Sequence, residues 1–154
     1  GKPSFSVGVI GGGDNACSVP DLCQIDIDRR TIPGETSADV LHELHDVIAR
    51  AKTTVPELDF EIGTPFLDLA PLDTSRGALI TKAMIDACEA VSGQVRVTAF
   101  PGSTDSPNFG CPTVICGPGD LVQCHSLDEY VAIDQIEDAV RIYFHAVLAM
   151  QTNP

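Results

Sequence analysis

The spacing of apolar residues changes part-way along this chain, and that change limits the possible folds more than any other feature. In the first half the spacing is two. "SFSVGVI" sets Phe5, Val7 and Val9 on one face, and "CQIDIDRR" sets Ile25 and Ile27 against Gln24, Asp26 and Asp28. "ELDFEIG" repeats this with Leu58, Phe60 and Ile62 against Glu57, Asp59 and Glu61. Such alternation predicts strands with one wet face, as in an antiparallel sheet covered on one side. The cover is expected between the second and third strands. There Val40, Leu44, Val47, Ile48 and Ala51 form a helical stripe, and Thr36 and Asp39 stand at capping-box spacing. The predicted order is β-β-α-β, an α+β sandwich lacking the opening strand and helix of a ferredoxin-like unit.

The second half alternates strand with helix. Asp73 is the expected N-cap of a helix that runs to about Val91 and stops at Gly93. "QVRVTAF" and "CPTVICG" read as strands around the loop "PGSTDSPNFG", the second apolar enough to be buried on both faces. A final helix from about Asp134 to Met150 is expected to bury Ile136, Ala139, Val140, Tyr143, Val147 and Leu148. The second half is therefore read as α/β. The change of class near residues 63 to 72 divides the chain into domains 1–66 and 67–154.

Charge narrows the partners. Nine Lys plus Arg against 22 Asp plus Glu give a formal charge of -13, a surface that repels nucleic-acid phosphates and anionic lipid headgroups. Neither nucleic acid nor a membrane is an expected partner. "AVRIYFHAVLAM" is interrupted by Arg141 and His145 and is too short to span a bilayer. The cysteines at 17, 23, 88, 111, 116 and 124 include no C-x-x-C pair, and the chain shows no secretory signal. Buried, reduced thiols in a cytoplasmic protein are expected; the rival is a zinc site of Cys111, Cys116, Cys124 and His125, whose spacing fits no common finger.

Chemistry is expected at the carboxyl end of the second-half sheet, where ligands of open α/β folds collect. His125 lies in the loop "GPGDLVQCHSLDEYV" that leaves that edge, with Asp128 and Glu129 close enough in sequence to support it. His42 and His45 fall one residue short of H-E-x-x-H spacing and read as solvent-facing, while His145 reads as a partly buried packing residue. Arg29 and Arg30 point to opposite faces of one strand, so at most one can serve a given pocket. A guanidinium there suits a carboxylate-bearing substrate, and the plainer alternative is an ion pair with Asp26 or Asp28. "GGGDNA" and "PGSTD" could cradle an anion but match no phosphate-binding fingerprint.

Three stretches, "GGGDNACSVPDLCQIDIDRRTIPGET", "PGSTDSPNFGCPTVICGPG" and "CHSLDEYVAID", resemble in order and spacing the signatures of the dinuclear-zinc amidohydrolases and peptidases that include acetylornithine deacetylase, succinyl-diaminopimelate desuccinylase and glutamate carboxypeptidase. The resemblance covers nearly the whole chain, and Gly117 to Val131 is nearest to the acetylornithine deacetylase branch. It implies an α/β catalytic domain interrupted by an α+β lid that often dimerises. It also implies that His125 is a ligand of one of two zinc ions, that Arg30 binds the substrate carboxylate, and that Gly102, Ser103 and Thr104 line the substrate site. Cys17 departs from the N-V-V-P run of many relatives, and Asn15 is out of register with it.

The family's H-x-D motif, bridging Asp, further acidic ligands and Glu–Glu pair are not found in this sequence. The chain is therefore expected to be the C-terminal piece of a zinc-dependent hydrolase acting on the amide of N-acyl amino acids or small peptides, a homodimer when whole and inactive as this piece alone. The alternative from another class is a non-catalytic self-association or interaction module derived from the same family.

Overall fold

The computed structural model describes residues 2–152. The chain forms two compact units, Gly1–Pro71 and Leu72–Pro154.

In the first unit, β1 (Ser4–Gly12) pairs antiparallel with β2 (Cys23–Arg30), and α1 (Ser37–Thr54) follows. The ladder is in simple register from Ser4↔Arg30 to Val7↔Ile27, then shifts so that Val9 faces Asp26 and Ile10 faces Ile25. Gly8 is the extra residue of this bulge, a position where the lack of a side chain lets the strand bend. The bulge corrects the alternation: Phe5 and Val7 share a face with Ile27, but Ile10 takes the place expected for Val9. At the far end of β1 a side chain on Gly12 would strike the Leu22 carbonyl oxygen at 2.4 Å, so the return toward β2 requires glycine.

α1 begins as its sequence demands. Thr36 Oγ1 accepts from the Asp39 N–H at 3.2 Å, and the Asp39 carboxylate accepts from the Thr36 N–H at 2.8 Å. The Thr36 hydroxyl also donates to the Asp39 carboxylate at 2.7 Å, and this bond, followed by that from the Thr36 N–H, holds the carboxyl below its ordinary range. Ser37, Val40, Leu41, Leu44 and Ile48 are the half-buried positions of the helix, whereas Val47 and Ala51 are exposed. The segment expected as a third strand, 57–62, joins no ladder among the described residues. It is met from α1 instead, with Lys52 Nζ 4.9 Å from the centre of the Phe60 ring; farther along, Ser37 Oγ donates to Asp68.

The second unit is built on α2 (Leu79–Ser92) and α3 (Ile133–Thr152). α2 starts later than Asp73 suggests, because Ala78 is its N-cap and the preceding turn is tied by Thr81 Oγ1 donating to the Ser75 carbonyl at 3.0 Å. It ends at Gly93, whose φ of 72° is the left-handed stop expected there. The two helices meet through small side chains. Ala83, Ala87 and Ala146 form the buried seam, with Met84, Ile142 and Ala149 packed against it. Thus α3 turns Ala139, Ile142, Ala146 and Ala149 inward, and the bulky set Ile136, Val140, Tyr143, Val147 and Leu148 stays largely exposed, contrary to the hydropathy reading. Alanine lets helix axes approach closely, which leaves the centre of the seam to small side chains while Met84 and Ile142 pack beside it.

"QVRVTAF" and "CPTVICG" carry no ladder among the described residues, and only Thr113 and Val114 of the latter are half-buried. A strand is stabilised by its neighbour's N–H and C=O groups, and an apolar run without that neighbour is only an extended segment. Side chains anchor it here. Thr74 Oγ1 donates to the Thr113 carbonyl at 2.5 Å and accepts from its N–H at 3.2 Å, and the Tyr143 hydroxyl donates to the Cys116 carbonyl at 2.8 Å. Among the described residues no helix is long and apolar enough to cross a membrane.

Candidate functional site

The loop after "CPTVICG" is shaped by backbone geometry. Gly119, at φ 96°, turns the chain, and the Asp120 carboxylate accepts from the Val122 N–H at 3.0 Å to start a single 3-10 turn, Leu121–Gln123. The Cys124 N–H then donates to the Leu121 carbonyl and the Ser126 N–H to the Gln123 carbonyl. His125, between them, has φ 64° and is the non-glycine residue with positive φ among the described residues. A side chain in this left-handed region is uncommon and carries a conformational cost, and such residues collect at sites where direction matters.

His125 is exposed, and its main-chain N–H donates to a Glu129 carboxylate oxygen at 3.1 Å. Glu129 therefore supports His125 through the backbone, which spacing alone did not distinguish from a bond to the ring. The 121–129 loop is closed on itself, with His125 exposed on it.

The "PGSTD" loop lies in the same unit. A side chain on Gly102 would come within 2.5 Å of the Phe100 ring, so the loop is folded tightly over that ring. Thr104 Oγ1 accepts from the N–H of Ser106, a buried polar residue at the start of a 3-10 turn, Ser106–Phe109. Gly102 and Ser103 are exposed and Thr104 is half-buried, so this stretch lies at the surface on a fixed base.

The arginine pair belongs to the first unit and divides as strand geometry requires. Arg29 is the less exposed member, half-buried with 13% of its side chain exposed, and grips Glu35 with two N–H···O bonds of 3.0 and 3.2 Å. It also reaches Glu43 on α1 at 3.3 Å and the Arg30 carbonyl at 2.7 Å. Glu35 accepts the Ile32 N–H at 3.0 Å as well, so one carboxylate fastens the whole turn from Arg29 to Thr36. The Arg29 hydrogen bonds hold the Glu35 carboxyl below its ordinary range, and Glu35 raises the guanidinium pKa in return. Arg30 is half-exposed, and its Nε donates to Asp28 at 2.8 Å. Of the two carboxylates weighed from sequence as its ion-pair partner, Asp28 is therefore the one observed. The partners of Arg29 lie 6 and 14 residues downstream, beyond what strand alternation could indicate.

The remaining candidates are simpler. His42 is exposed and lies 3.8 Å from Asp46 on the same helix face. His145 is exposed, which corrects its reading as a packing residue, and its ring meets Phe144 edge-on. All six cysteines are free thiols, and Cys88 alone is half-buried while the other five are exposed. The expectation of buried thiols fails because the segments carrying them lie on the surface. Among the described residues no three His, Cys, Asp or Glu side chains converge to hold a metal ion, so Cys111, Cys116, Cys124 and His125 do not make a zinc site. His125 is chemically suited to be one ligand, but a catalytic zinc needs about three from protein. The donors present in this chain do not by themselves fit the ion.

The profile of Peptidase family M20/M25/M40 matches residues 5–149. The acetylornithine deacetylase of Proteus mirabilis (strain HI4320) is 30% identical over 140 residues, covering 88% of this chain and 34% of the relative. That of Aliivibrio fischeri (strain MJ11) is 28% identical over 144 residues, covering 91% of this chain and 36% of the relative. The chain thus spans about a third of the length of the curated relatives it matches. In fold, it is similar to the M20 family metallo-carboxypeptidase Sso-CP2 from Sulfolobus solfataricus, with a TM-score of 0.66 at 18% identity over 97% of this chain and 36% of that one.

Proposed function

The chain belongs to Peptidase family M20/M25/M40, and from that premise we propose that it is part of a metal-dependent hydrolase that cleaves the amide bond of N-acyl amino acids or small peptides. The observation that carries this reading is the family match over residues 5–149, which takes in the loop holding His125 in its left-handed conformation. The relatives named acetylornithine deacetylase favour an acylated amino acid over a long peptide as substrate.

In this reading His125 is one ligand to a zinc ion whose other ligands lie outside this chain. It is carried on a backbone turn held by the Glu129 and Asp120 carboxylates, so the turn itself does not depend on the ion. Arg30 receives the substrate carboxylate, exchanging its bond to Asp28 for a bidentate one. Arg29 and Glu35 keep that end of β2 in place, and Gly102, Ser103 and Thr104 line the substrate site. Residues 1–66 act as part of a lid through which the whole enzyme dimerises, and residues 67–154 as the C-terminal part of the catalytic domain.

The test uses the longer protein that contains this chain. Replacing His125 with Ala is expected to lower kcat by orders of magnitude on an N-acetyl amino acid, and near-normal turnover would overturn the assignment. Arg30→Ala is expected to raise KM with a smaller change in kcat, because it removes binding shared by ground and transition states; an unchanged KM would remove its role. The 154-residue chain alone is expected to hydrolyse nothing even with added zinc, and activity there would refute the need for outside ligands.

A further inference from the structure

Arg30 stands where its strand runs out. The ladder ends with the Ser4↔Arg30 pair, so the next two peptide units, Arg30–Thr31 and Thr31–Ile32, lie beyond its paired residues. Both are bonded by side chains instead. Arg29 Nη1 donates to the Arg30 carbonyl at 2.7 Å, and Glu35 Oε2 accepts from the Ile32 N–H at 3.0 Å. The same Glu35 oxygen accepts from Arg29 Nη1 at 3.2 Å, and Oε1 accepts from Nη2 at 3.0 Å. Glu35 thus holds one of the two peptides directly and the other through Arg29. Its own N–H donates to the Ile32 carbonyl at 3.0 Å, which closes the turn. Neighbouring side chains on a strand leave by opposite faces. Arg29 faces α1, where Nη2 reaches Glu43 at 3.3 Å, and Arg30 leaves by the other face, beside Asp28.

We infer that Glu35 is a positioning residue for Arg30: through Arg29 and Ile32 it sets the main-chain geometry from which the Arg30 guanidinium meets the substrate carboxylate, and it touches no substrate itself. The inference rests on the assignment of Arg30 to that carboxylate. A guanidinium fork takes a carboxylate by two parallel bonds only over a narrow range of directions, so a small rotation of the peptides behind it weakens that contact. The role needs a carboxylate at 35, because two acceptor oxygens are required to hold both Arg29 nitrogens and the Ile32 N–H together.

The test is made on the longer protein that contains this chain, with an N-acetyl amino acid and its carboxamide as paired substrates; Ki stands for KM where the amide turns over too slowly. Arg30→Ala is expected to raise KM for the acid about tenfold and to bring the amide-to-acid KM ratio toward one. Glu35→Ala is expected to raise KM for the acid about threefold, with a smaller change in kcat, and to lower the same ratio. Glu35→Gln, which keeps the shape and one acceptor oxygen, is expected to fall between Glu35→Ala and the parent. The double variant Arg30→Ala with Glu35→Ala is expected to match Arg30→Ala alone, since a residue that acts only through another adds nothing once that one is gone. Thr36→Ala removes the α1 cap without touching either peptide and is expected to keep the parent's ratio.

If Arg30→Ala raises KM for the acid while Glu35→Ala and Glu35→Gln do not, the inference falls and the Arg30 assignment stands. Effects of Arg30→Ala and Glu35→Ala that add independently would also overturn it, as would an equal fall in the ratio for Thr36→Ala. An unchanged KM in Arg30→Ala removes the assignment and the inference together.

Discussion

The two units are held by opposite means. Gly1–Pro71 is fastened by polar bonds, with Arg29 gripping Glu35 and Glu43, Thr36 and Asp39 capping each other, and a two-stranded ladder bent at Gly8. Leu72–Pro154 is fastened by close contact of alanines in the α2–α3 seam, with Met84 and Ile142 beside them and Val140, Tyr143, Val147 and Leu148 left exposed. Directional bonds tolerate a neighbour's change of size but not of charge. A close-packed seam is the reverse.

That contrast can be broken deliberately. The largest effect is expected from Ala87→Leu, which forces an isobutyl group into the seam and destabilises the second unit by about 1–3 kcal/mol. Urea unfolding followed by hydrogen exchange checks it, with the protection of β1 and β2 expected to be unchanged. Next, Arg29→Ala is expected to cost the first unit about 1 kcal/mol in an acid- and salt-sensitive way. The sign follows from Glu35. Its folded-state pKa is depressed, so its contribution is present above the ordinary carboxylate range and is lost as pH falls through the lower folded value. A urea midpoint measured from pH 7 to pH 3 is expected to fall more steeply for the parent than for the variant. Thr36→Ala is expected to cost about 0.5–1 kcal/mol, read as fraying of the α1 N-terminus. The smallest change has the opposite sign: His125→Gly is expected to stabilise the second unit by about 0.5 kcal/mol by relieving the left-handed backbone.

Local signals were the most legible in the sequence. Thr36 and Asp39 are three residues apart and bond within a single turn, and Gly93 acts on its own backbone, so both were readable without knowledge of the rest of the chain. The buried side of α3 was not. Hydropathy ranks Val140 and Leu148 above Ala139 and Ala146, yet what decides the seam is how closely α2 approaches, and that depends on Ala83 and Ala87 about 60 residues away. Strand alternation placed Phe5 and Val7 correctly relative to Ile27 but carried past Gly8 without sensing that a glycine could add a residue to one strand. At the candidate site, His125 stood out by its loop and Arg30 by its motif, but the left-handed twist at 125 and the bond from its N–H to Glu129 are backbone details of the loop that residue types alone do not specify.

The twist at His125 makes the direction in which its side chain leaves the loop a property of the main chain. An imidazole moved one place along, to 124 or 126, would leave the loop on a different bearing even with every neighbouring side chain intact. Repairing a loss at 125 by a nearby second-site histidine is therefore closed off, and a redesigned loop needs the handedness of that one peptide rebuilt before any choice of side chain can matter.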